Sequence, residues 1–406
     1  MDVLLVHEYY RSSSPSGEDM VFEREKKLLE QHKINVKCIS YKNDDIGTER
    51  GPSVIQTAIY TPWSPVGKSL IKDAIGKYHP DIVHFHNTFP IISQSAIIEA
   101  KKLGVATVQT FHNFRSVCAQ AMLMRDGICE DCLGRFPLPA LIHRCYRDSF
   151  WATLPLFFNI ALHRYLGTWQ KYVDRFIVLS DFNRQKFIHA GFPETKIRIK
   201  PNFFESDNKI NFTAKKTDEW LFIGRLKDEK GIQFLPEVWK RLGEYAPLLH
   251  VLGDGPLFPV LKNRVNQLEL ADKIIFHGHA SSSTVLKRLM SASLLVFPSV
   301  WYEGFPLVIG EAYAAGVAVA ASKLGTPAAV VKDGITGIHF EPGNVEDMAN
   351  RFLYLRNNPP LLKQMGINAR REYEKYYTPD ANFEMIMQIY KEAIGENRHP
   401  KEQKQK

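Results

Sequence analysis

The sequence predicts an α/β protein with two domains, each built around a parallel β-sheet. Short apolar runs alternate with helical stretches along both halves of the chain, and this alternation is typical of parallel sheets covered by helices. The chain has 406 residues, of which 45% are hydrophobic, so it can bury two separate cores. A polar stretch at residues 203–218, which lacks apolar periodicity, separates the two halves.

The first half contains strand candidates at residues 2–6, 34–40, 81–86, 105–111, 173–180 and 197–200. Ligands of parallel sheets bind at the carboxyl ends of the strands, where His86 and His112 both occur. His86 is interpreted as structural, and the case for His112 depends on the resemblance described below. Gly17 lies at the turn between the first strand and a predicted helix, where glycine lets the backbone approach a phosphate or a sugar. Because Glu18 follows it, we expect contact with sugar or acceptor hydroxyls; a plain helix cap is the alternative.

Residues 114–170 interrupt the alternation and hold four of the five cysteines. Cys118, Cys129, Cys132 and Cys145 are spaced as C-x10-C-x2-C-x12-C. A central C-x2-C with two further thiols fits a tetrahedral structural zinc site. Four unliganded thiols are the alternative.

The same insertion carries an apolar run at residues 150–162, which is broken by Pro155 and is too short to span a membrane. Basic side chains, among them Arg144, Arg147 and Arg164, flank the run. This composition favours a segment that lies at a lipid interface, and a buried helix of the domain core is the alternative.

The second half contains strand candidates at residues 220–223, 248–252, 273–276, 294–297 and 317–321. Arg225 follows the first of these strands, and Lys230 opens the next helix. Two cations near one strand end are suited to neutralising a diphosphate, although a solvated face is the alternative.

A strand–loop–helix segment at residues 293–316 is the most informative part of the sequence. Its loop contains Glu303, and its predicted helix over 307–315 contains Glu311. The N-terminus of a helix offers free N–H groups and the positive end of the helix dipole, so it can hold a diphosphate. The residues that form this entry are Gly304, Phe305, Pro306, Leu307 and Val308.

The chain resembles the retaining family-4 glycosyltransferases. Glu303 and Glu311 fit the E-x7-E signature of that family, and GRL, KG, GDGP, HG and EGFPLVIGEAYAAG occur in the family's order. The resemblance covers nearly the whole chain and implies the GT-B fold, in which two Rossmann-like domains face each other across a cleft.

The resemblance also implies an activity and roles for named residues. A sugar would move from a UDP- or GDP-sugar donor to a glycan with retention of configuration. Arg225, Lys230 and the amides of the 307–315 helix would stabilise the departing phosphate. Glu303 would hold sugar hydroxyls, Glu311 the ribose, and His112 the sugar from the other domain. No D-x-D motif is visible, so no metal cofactor is expected for catalysis.

Two other functions remain as alternatives to glycosyl transfer. One is a nucleotide-sugar epimerase of the same fold, and the other is a catalytically silent binding or assembly subunit. Formation of a product on a separate acceptor distinguishes the transferase from both.

The charge of the chain bears on its partners and location. The net charge is +8, which suits an anionic surface or a phosphorylated acceptor, and no nucleic-acid-binding module is visible. Neither a signal peptide nor a membrane-spanning run is recognised. We therefore expect a cytoplasmic enzyme, peripheral at the inner face of the membrane, that extends a lipid-linked acceptor in cell-envelope polysaccharide synthesis.

The predicted organisation follows from these features. Residues 1–202 form an acceptor-binding domain, 203–218 a linker, and 219–376 a domain that binds the nucleotide sugar. A helix over 377–395 crosses back to the first domain, and 396–406 form a disordered tail.

Overall fold

The chain divides into two compact units in a computed structural model, which describes residues 1–13, 16–205 and 216–398. The first unit comprises Met1–Lys200 and the chain from Asn382, and the second comprises Pro201–Ala381. Each unit contains a six-stranded sheet whose neighbouring strands are parallel. The predicted α/β class is therefore confirmed.

The sheet of the first unit has the strand order β2-β1-β3-β4-β5-β6. Its strands are β1 Asp2–Tyr9, β2 Asn35–Lys42, β3 Ile82–Phe85, β4 Ala106–Thr110, β5 Arg175–Val178 and β6 Ile197–Ile199. The helices are α1 Gly17–Gln31, α2 Val54–Tyr60, α3 Pro65–Tyr78, α4 Ser95–Lys102, α5 Leu138–Ile142, α6 Phe150–Tyr165, α7 Thr168–Lys171 and α8 Asp181–His189. The central strands β3, β4 and β5 are buried along their whole length, as expected for a sheet covered on both faces.

The sheet of the second unit has the order β12-β11-β10-β7-β8-β9. Its strands are β7 Glu219–Ile223, β8 Leu248–Leu252, β9 Ile274–Phe276, β10 Leu294–Phe297, β11 Ala318–Ser322 and β12 Gly337–Phe340. The helices are α9 Leu235–Leu242, α10 Phe258–Gln267, α11 Ser282–Ser291, α12 Leu307–Ala314, α13 Gly325–Val330, α14 Val345–Arg356 and α15 Pro359–Tyr376. Trp220, Trp239 and Phe352 lie at the centre of the core and contact one another edge to face.

The last helix, α16 (Pro379–Arg398), returns the chain to the first unit. Ile386, Ile389 and Tyr390 of this helix are buried in the same core as Val3 and Leu5 of β1. The helix ends three residues later than predicted, so residues 396–398 are helical and not part of a disordered tail. Residues 399–406 lie outside the described residues.

The linker predicted at 203–218 differs from the structure at its start. Phe203 and Phe204 are buried and belong to the second unit, which begins at Pro201. Residues 206–215 of the predicted linker lie outside the described residues.

Helix α6 of the insertion is continuous, and Pro155 does not break it. The proline lies in the second turn, where its missing N–H removes only one backbone hydrogen bond. One face of α6, with Leu156, Asn159, Ile160 and His163, is buried, whereas Trp151, Phe158 and Tyr165 on the other face are exposed. Within the described residues, no helix combines the length and the apolar character needed to cross a bilayer.

Candidate active site

The strand order of the second sheet reverses between β7 and β10. These two strands are neighbours, with Leu294 of β10 opposite Trp220 of β7, although they are far apart in sequence. The carboxyl ends of the strands on either side of such a reversal are the usual ligand site of doubly wound sheets. Lys230 lies on the loop after β7, and Glu303 lies on the loop after β10.

The two loops bring Lys230 and Glu303 into direct contact. Lys230 Nζ lies 2.6 Å from Oε1 of the buried Glu303. The same oxygen accepts from the indole Nε1–H of Trp301 at 2.7 Å and lies 2.9 Å from Ser299 Oγ. These donors all converge on Oε1, so Oε2 is the oxygen that can accept from a ligand. The ammonium also lies 5.1 Å from the centre of the Trp301 ring, a cation–π distance.

A glycine makes this contact between the loops possible. Gly231 has φ +70°, and a Cβ atom there would lie 1.9 Å from the carbonyl oxygen of Pro298. Next to it, Val300 N–H donates to Glu229 O at 3.0 Å. Only glycine combines this backbone conformation with such a close approach. Gly231 therefore sets the position of Lys230.

Glu303 is followed by helix α12, which begins at Leu307 after Pro306, as predicted, and ends one residue earlier, at Ala314. Thr326 Oγ1 donates to Gly304 O at 3.0 Å and fixes the approach to the helix. Leu307 and Val308 lie in its first turn, and Phe305, two residues before the helix, is buried.

The remaining predicted donor-site residues lie near these loops. Glu311 is half-buried in the second turn of α12. Arg225 follows β7 directly and is exposed. The second unit thus brings Lys230 and Glu303 into contact. Arg225 lies two residues after the end of β7, on the same loop as Lys230.

In the first unit, His112 is the outermost member of a chain of buried polar groups. His112 Nε2 lies 3.0 Å from Nδ1 of His86, and His86 Nε2 lies 3.1 Å from Oε1 of Glu25. Both His86 and Glu25 are buried, and they come from β3's carboxyl end and from the middle of α1. His86 is buried and hydrogen-bonded on both sides, which agrees with its interpretation as structural, and one of its partners is His112.

The charges of Glu25, His86 and His112 determine which ring nitrogens of the two histidines carry protons. Burial lowers the pKa of His86 and places that of His112 well below its usual value, so both rings are neutral. Glu25 can only accept, so His86 carries its proton on Nε2 and accepts at Nδ1 from the Nε2–H of His112. His112 therefore presents an unprotonated Nδ1 as a hydrogen-bond acceptor.

Glu25 lies at the base of this hydrogen-bonded series, and the buried Lys200 balances its charge. Burial alone would raise the pKa of Glu25, but Lys200 and His86 hold it well below its usual value. Lys200 Nζ lies 2.7 Å from Glu25 Oε2 and 3.1 Å from Asn382 Oδ1. The Glu25, His84 and His86 ligand atoms lie within 4.8 Å of one another, as in a metal site. The ammonium of Lys200 supplies the positive charge there, so this group does not fit a metal ion.

A second carboxyl group near His112 was not recognised as functional from the sequence. Asn113 Nδ2 donates to Glu18 Oε1 at 2.5 Å, and Tyr10 O–H donates to Oε2 at 3.1 Å. Burial raises the pKa of Glu18. A cavity of about 40 Å³ is lined by Glu18, His112 and Asn113. Gly17, beside it, is the first residue of α1, and Ser16 caps the helix by accepting from Glu18 N–H.

The four cysteines of the insertion lie apart from His112, around a separate small cavity. Cys118, Cys129, Cys132 and Cys145 are all reduced. The zinc site therefore stays a prediction, which is developed below.

Two family models match the chain, one to each half. The model "Glycosyl transferases group 1" matches residues 203–372, and the model "Glycosyltransferase Family 4" matches residues 26–208.

Sequence relatives and solved structures agree with these matches. An uncharacterized glycosyltransferase of Methanocaldococcus jannaschii is 30% identical over 334 residues, which cover 80% of this chain and 78% of that protein. A second uncharacterized glycosyltransferase of the same organism is 30% identical over 217 residues, and the match covers 50% of this chain and 55% of that relative. The crystal structure of Anabaena HepE in complex with UDP superposes with a TM-score of 0.65 at 16% identity, covering 96% of this chain and 99% of that one. At this identity the likeness shows the fold alone, and it confirms the predicted GT-B class.

Proposed function

The chain belongs to the family-4 glycosyltransferases, and from this premise we propose that it transfers a sugar from a nucleotide-sugar donor to a lipid-linked glycan with retention of configuration. The observation that carries the proposal is the contact between Lys230 and Glu303 at the switch point of the second sheet. This is the place where a doubly wound sheet binds a nucleotide.

Each group at this switch point has a separate task in the proposed reaction. Glu303 accepts hydrogen bonds from hydroxyl groups of the donor sugar at Oε2, and it stabilises positive charge in the sugar ring. Lys230 keeps N–H groups beyond the one shared with Glu303, and it directs them at the departing diphosphate. Arg225 and the first-turn amides of α12 add further positive charge, so the phosphate leaves without a catalytic metal ion. Glu311 binds the ribose.

The first unit contributes acceptors for hydroxyl groups. His112 accepts a hydrogen bond from a sugar hydroxyl at Nδ1. This nitrogen is unprotonated because Nε2 carries the proton that is donated to His86. Glu18 and the backbone at Gly17 contact acceptor hydroxyls. The attacking hydroxyl gives its proton to the phosphate oxygen that leaves from the same face, so no separate protein base is needed.

A panel of UDP- and GDP-sugars with lipid diphosphate glycan acceptors tests the proposal. We expect one donor to yield a product heavier by one sugar residue in mass spectrometry, and NMR of the new linkage to show the donor's anomeric configuration. An inverted linkage would refute retention.

The same panel separates the two alternative functions. A nucleotide-sugar epimerase would convert the free donor into its epimer without any acceptor. A silent subunit would leave every donor intact. Activity that persists after chelation supports the metal-independent step, whereas loss that Mg²⁺ or Mn²⁺ restores would refute it.

We propose in addition that the protein binds its acceptor at a membrane surface, where α6 contacts lipid. Trp151, Phe158 and Tyr165 recur every seven residues on the outer face of α6 and are 77%, 52% and 88% exposed. Helix α2 packs against α6 and exposes Val54 and Ile55. Exposed aromatic and aliphatic side chains of this kind, with basic neighbours, are typical of interfacial helices.

Sedimentation with vesicles tests this surface. We expect the protein to sediment with phosphatidylglycerol vesicles at low salt and the triple variant W151A/F158A/Y165A to stay in the supernatant. Tyr354→Ala removes a similarly exposed ring in the second unit and serves as the control. Equal sedimentation of all three proteins would contradict a lipid contact through α6.

A further inference from the structure

Four cysteines that are far apart in sequence meet around one small cavity. Cys118, Cys129, Cys132 and Cys145 line a cavity of about 20 Å³, although the first and last are separated by the whole of α5. The fifth cysteine, Cys38, lies on β2 and is exposed. The cavity is large enough for one water-sized occupant and too small for a cluster of several metal atoms.

The cavity lies in a segment with little regular structure to hold it. Between β4 and α5, the described residues form turns and bends with a single isolated bridge between Met124 and Ile128. Ala121 and Leu123 have positive φ, which non-glycine residues keep only where the surroundings impose it. The small core beside them consists of Ala119, Cys132, Ala140 and Leu156. Without helices or paired strands, the backbone of this segment has few regular hydrogen bonds to hold it, and a metal cross-link would hold it.

A half-buried arginine near the cysteines has one buried guanidinium nitrogen without a hydrogen-bond partner among the described residues. Arg164 Nη1 is buried and makes no hydrogen bond within the part of the chain that the structure describes. The Arg164 side chain lies within electrostatic range of the Cys132 sulfur. A buried N–H group of a cation without a partner favours negative charge nearby, which a thiolate centre at the cysteines would supply.

We propose that the four cysteines bind one structural zinc ion as a tetrahedral thiolate site. Each thiol releases its proton to solvent, and the four thiolates with Zn²⁺ form a centre of net charge −2 that faces Arg164. Thiolate–zinc bonds of about 2.3 Å place sulfurs about 3.8 Å apart. Among the described residues no three of these sulfurs lie within 4.8 Å of one another, so metal binding draws the loops together and closes the cavity.

The site would stabilise the loop that follows His112. Arg115, three residues after His112 and three before Cys118, lies over the ring of Phe89 at 4.3 Å and that of Tyr146 at 5.7 Å. Tyr146 directly follows Cys145. A metal that holds Cys118 and Cys145 therefore holds both sides of this stack.

Metal content of the full-length protein tests the proposal directly. We expect about one zinc per chain by elemental analysis after dialysis against a weak chelator. A mercurial reagent should release that zinc in proportion to the thiols it modifies. Cobalt substitution should give the intense visible bands and the sulfur-to-metal charge-transfer absorption of a tetrahedral thiolate site.

Variants separate this site from surface binding. Cys129→Ser with Cys132→Ser should abolish zinc retention, whereas Cys38→Ser should retain one zinc per chain. The wild-type readouts do not depend on whether the double variant folds. Five rapidly reactive thiols in the native reduced protein, iron in place of zinc, or disulfides among these four cysteines would each overturn the proposal. The outcome is independent of the glycosyltransferase assay, since it requires no substrate.

Discussion

At the scale of single residues, Lys230 gives the sharpest test of the candidate site. Replacing Lys230 by Ala removes one donor to the leaving phosphate and one partner of Glu303. We expect kcat/KM to fall about 10²-fold, the scale measured for loss of one preorganised donor. Steady-state kinetics with the identified donor checks this.

Lys227 provides the matched control for that experiment. It lies on the same loop, but its ammonium is 3.7 Å from Glu229 and not beside Glu303. Lys227→Ala should keep kcat/KM within a small factor of wild type. Equal losses in both variants would show that only the positive charge of the loop matters.

A second prediction concerns Gly231. An alanine in the left-handed backbone conformation costs about 1–2 kcal/mol. Gly231→Ala should lower the free energy of unfolding by more than this, because its Cβ would also collide with Pro298 O. Gly334→Ala is the control, since Gly334 has φ +74° with nothing within 4 Å. Denaturant midpoints measure both. Similar midpoints for the two variants would contradict a tight contact between these loops at Gly231.

At the scale of elements, the Glu25–Lys200 pair joins α1 to the end of β6. Glu25→Gln leaves the buried Lys200 without its counter-charge, which costs about 3–5 kcal/mol. The double variant E25Q/K200M removes both charges and should recover most of that stability. Urea unfolding of the two variants decides the matter, and an equally unstable double variant would contradict a charge origin.

The sequence predicted the donor-side loops better than the groups around His112. Lys230 and Glu303 each follow a buried strand, and strands β7 and β10 are neighbours, so their convergence follows from sheet topology. Glu25 lies in mid-helix and Glu18 in a first turn, positions where glutamate is usually solvated. Glu25 is buried and Glu18 is partly buried because α1 packs against strands whose register no local pattern specifies.

The insertion shows a similar limit. The cysteine spacing was readable, but the short helix α5 was not predicted, because it has too few turns to show a helical period. Pro155 suggested an interruption in an apolar run, yet α6 is continuous because packing of its inner face outweighs one lost hydrogen bond.

At the scale of the whole molecule, the buried histidines predict loss of stability in mild acid. Burial lowers the pKa of His163 to about 4, against about 6.5 in an unfolded chain. As the pH falls below about 6.5, His163 becomes protonated in the unfolded chain, but in the folded protein it stays neutral down to about pH 4. The free energy of unfolding therefore decreases as the pH falls from about 6.5 to about 4. His84, His86 and His112, with lowered pKa values, act in the same direction.

The variant His163→Gln isolates one part of this effect. Glutamine can still donate to Pro62 O, the partner of His163 Nε2 at 2.9 Å. As the pH falls from 6.5 to 4, the free energy of unfolding of the variant should decrease by about 3 kcal/mol less than that of the wild type, because the variant lacks the shifted pKa of His163. Free energies of unfolding measured at half-unit intervals check this, and parallel curves would contradict a buried neutral His163.

The return of α16 has a consequence for the order in which the protein is made. Ile386, Ile389, Tyr390 and Ala393 complete the core around β1, yet the ribosome reaches them only after the whole of the second unit. At about 5–20 residues per second, the nascent first unit waits roughly 10 to 40 s for them. During that time the apolar surface of β1 and α1 that α16 will cover is open to chaperones. Translation therefore finishes the second unit first, and the N-terminal half of the polypeptide is the last to mature.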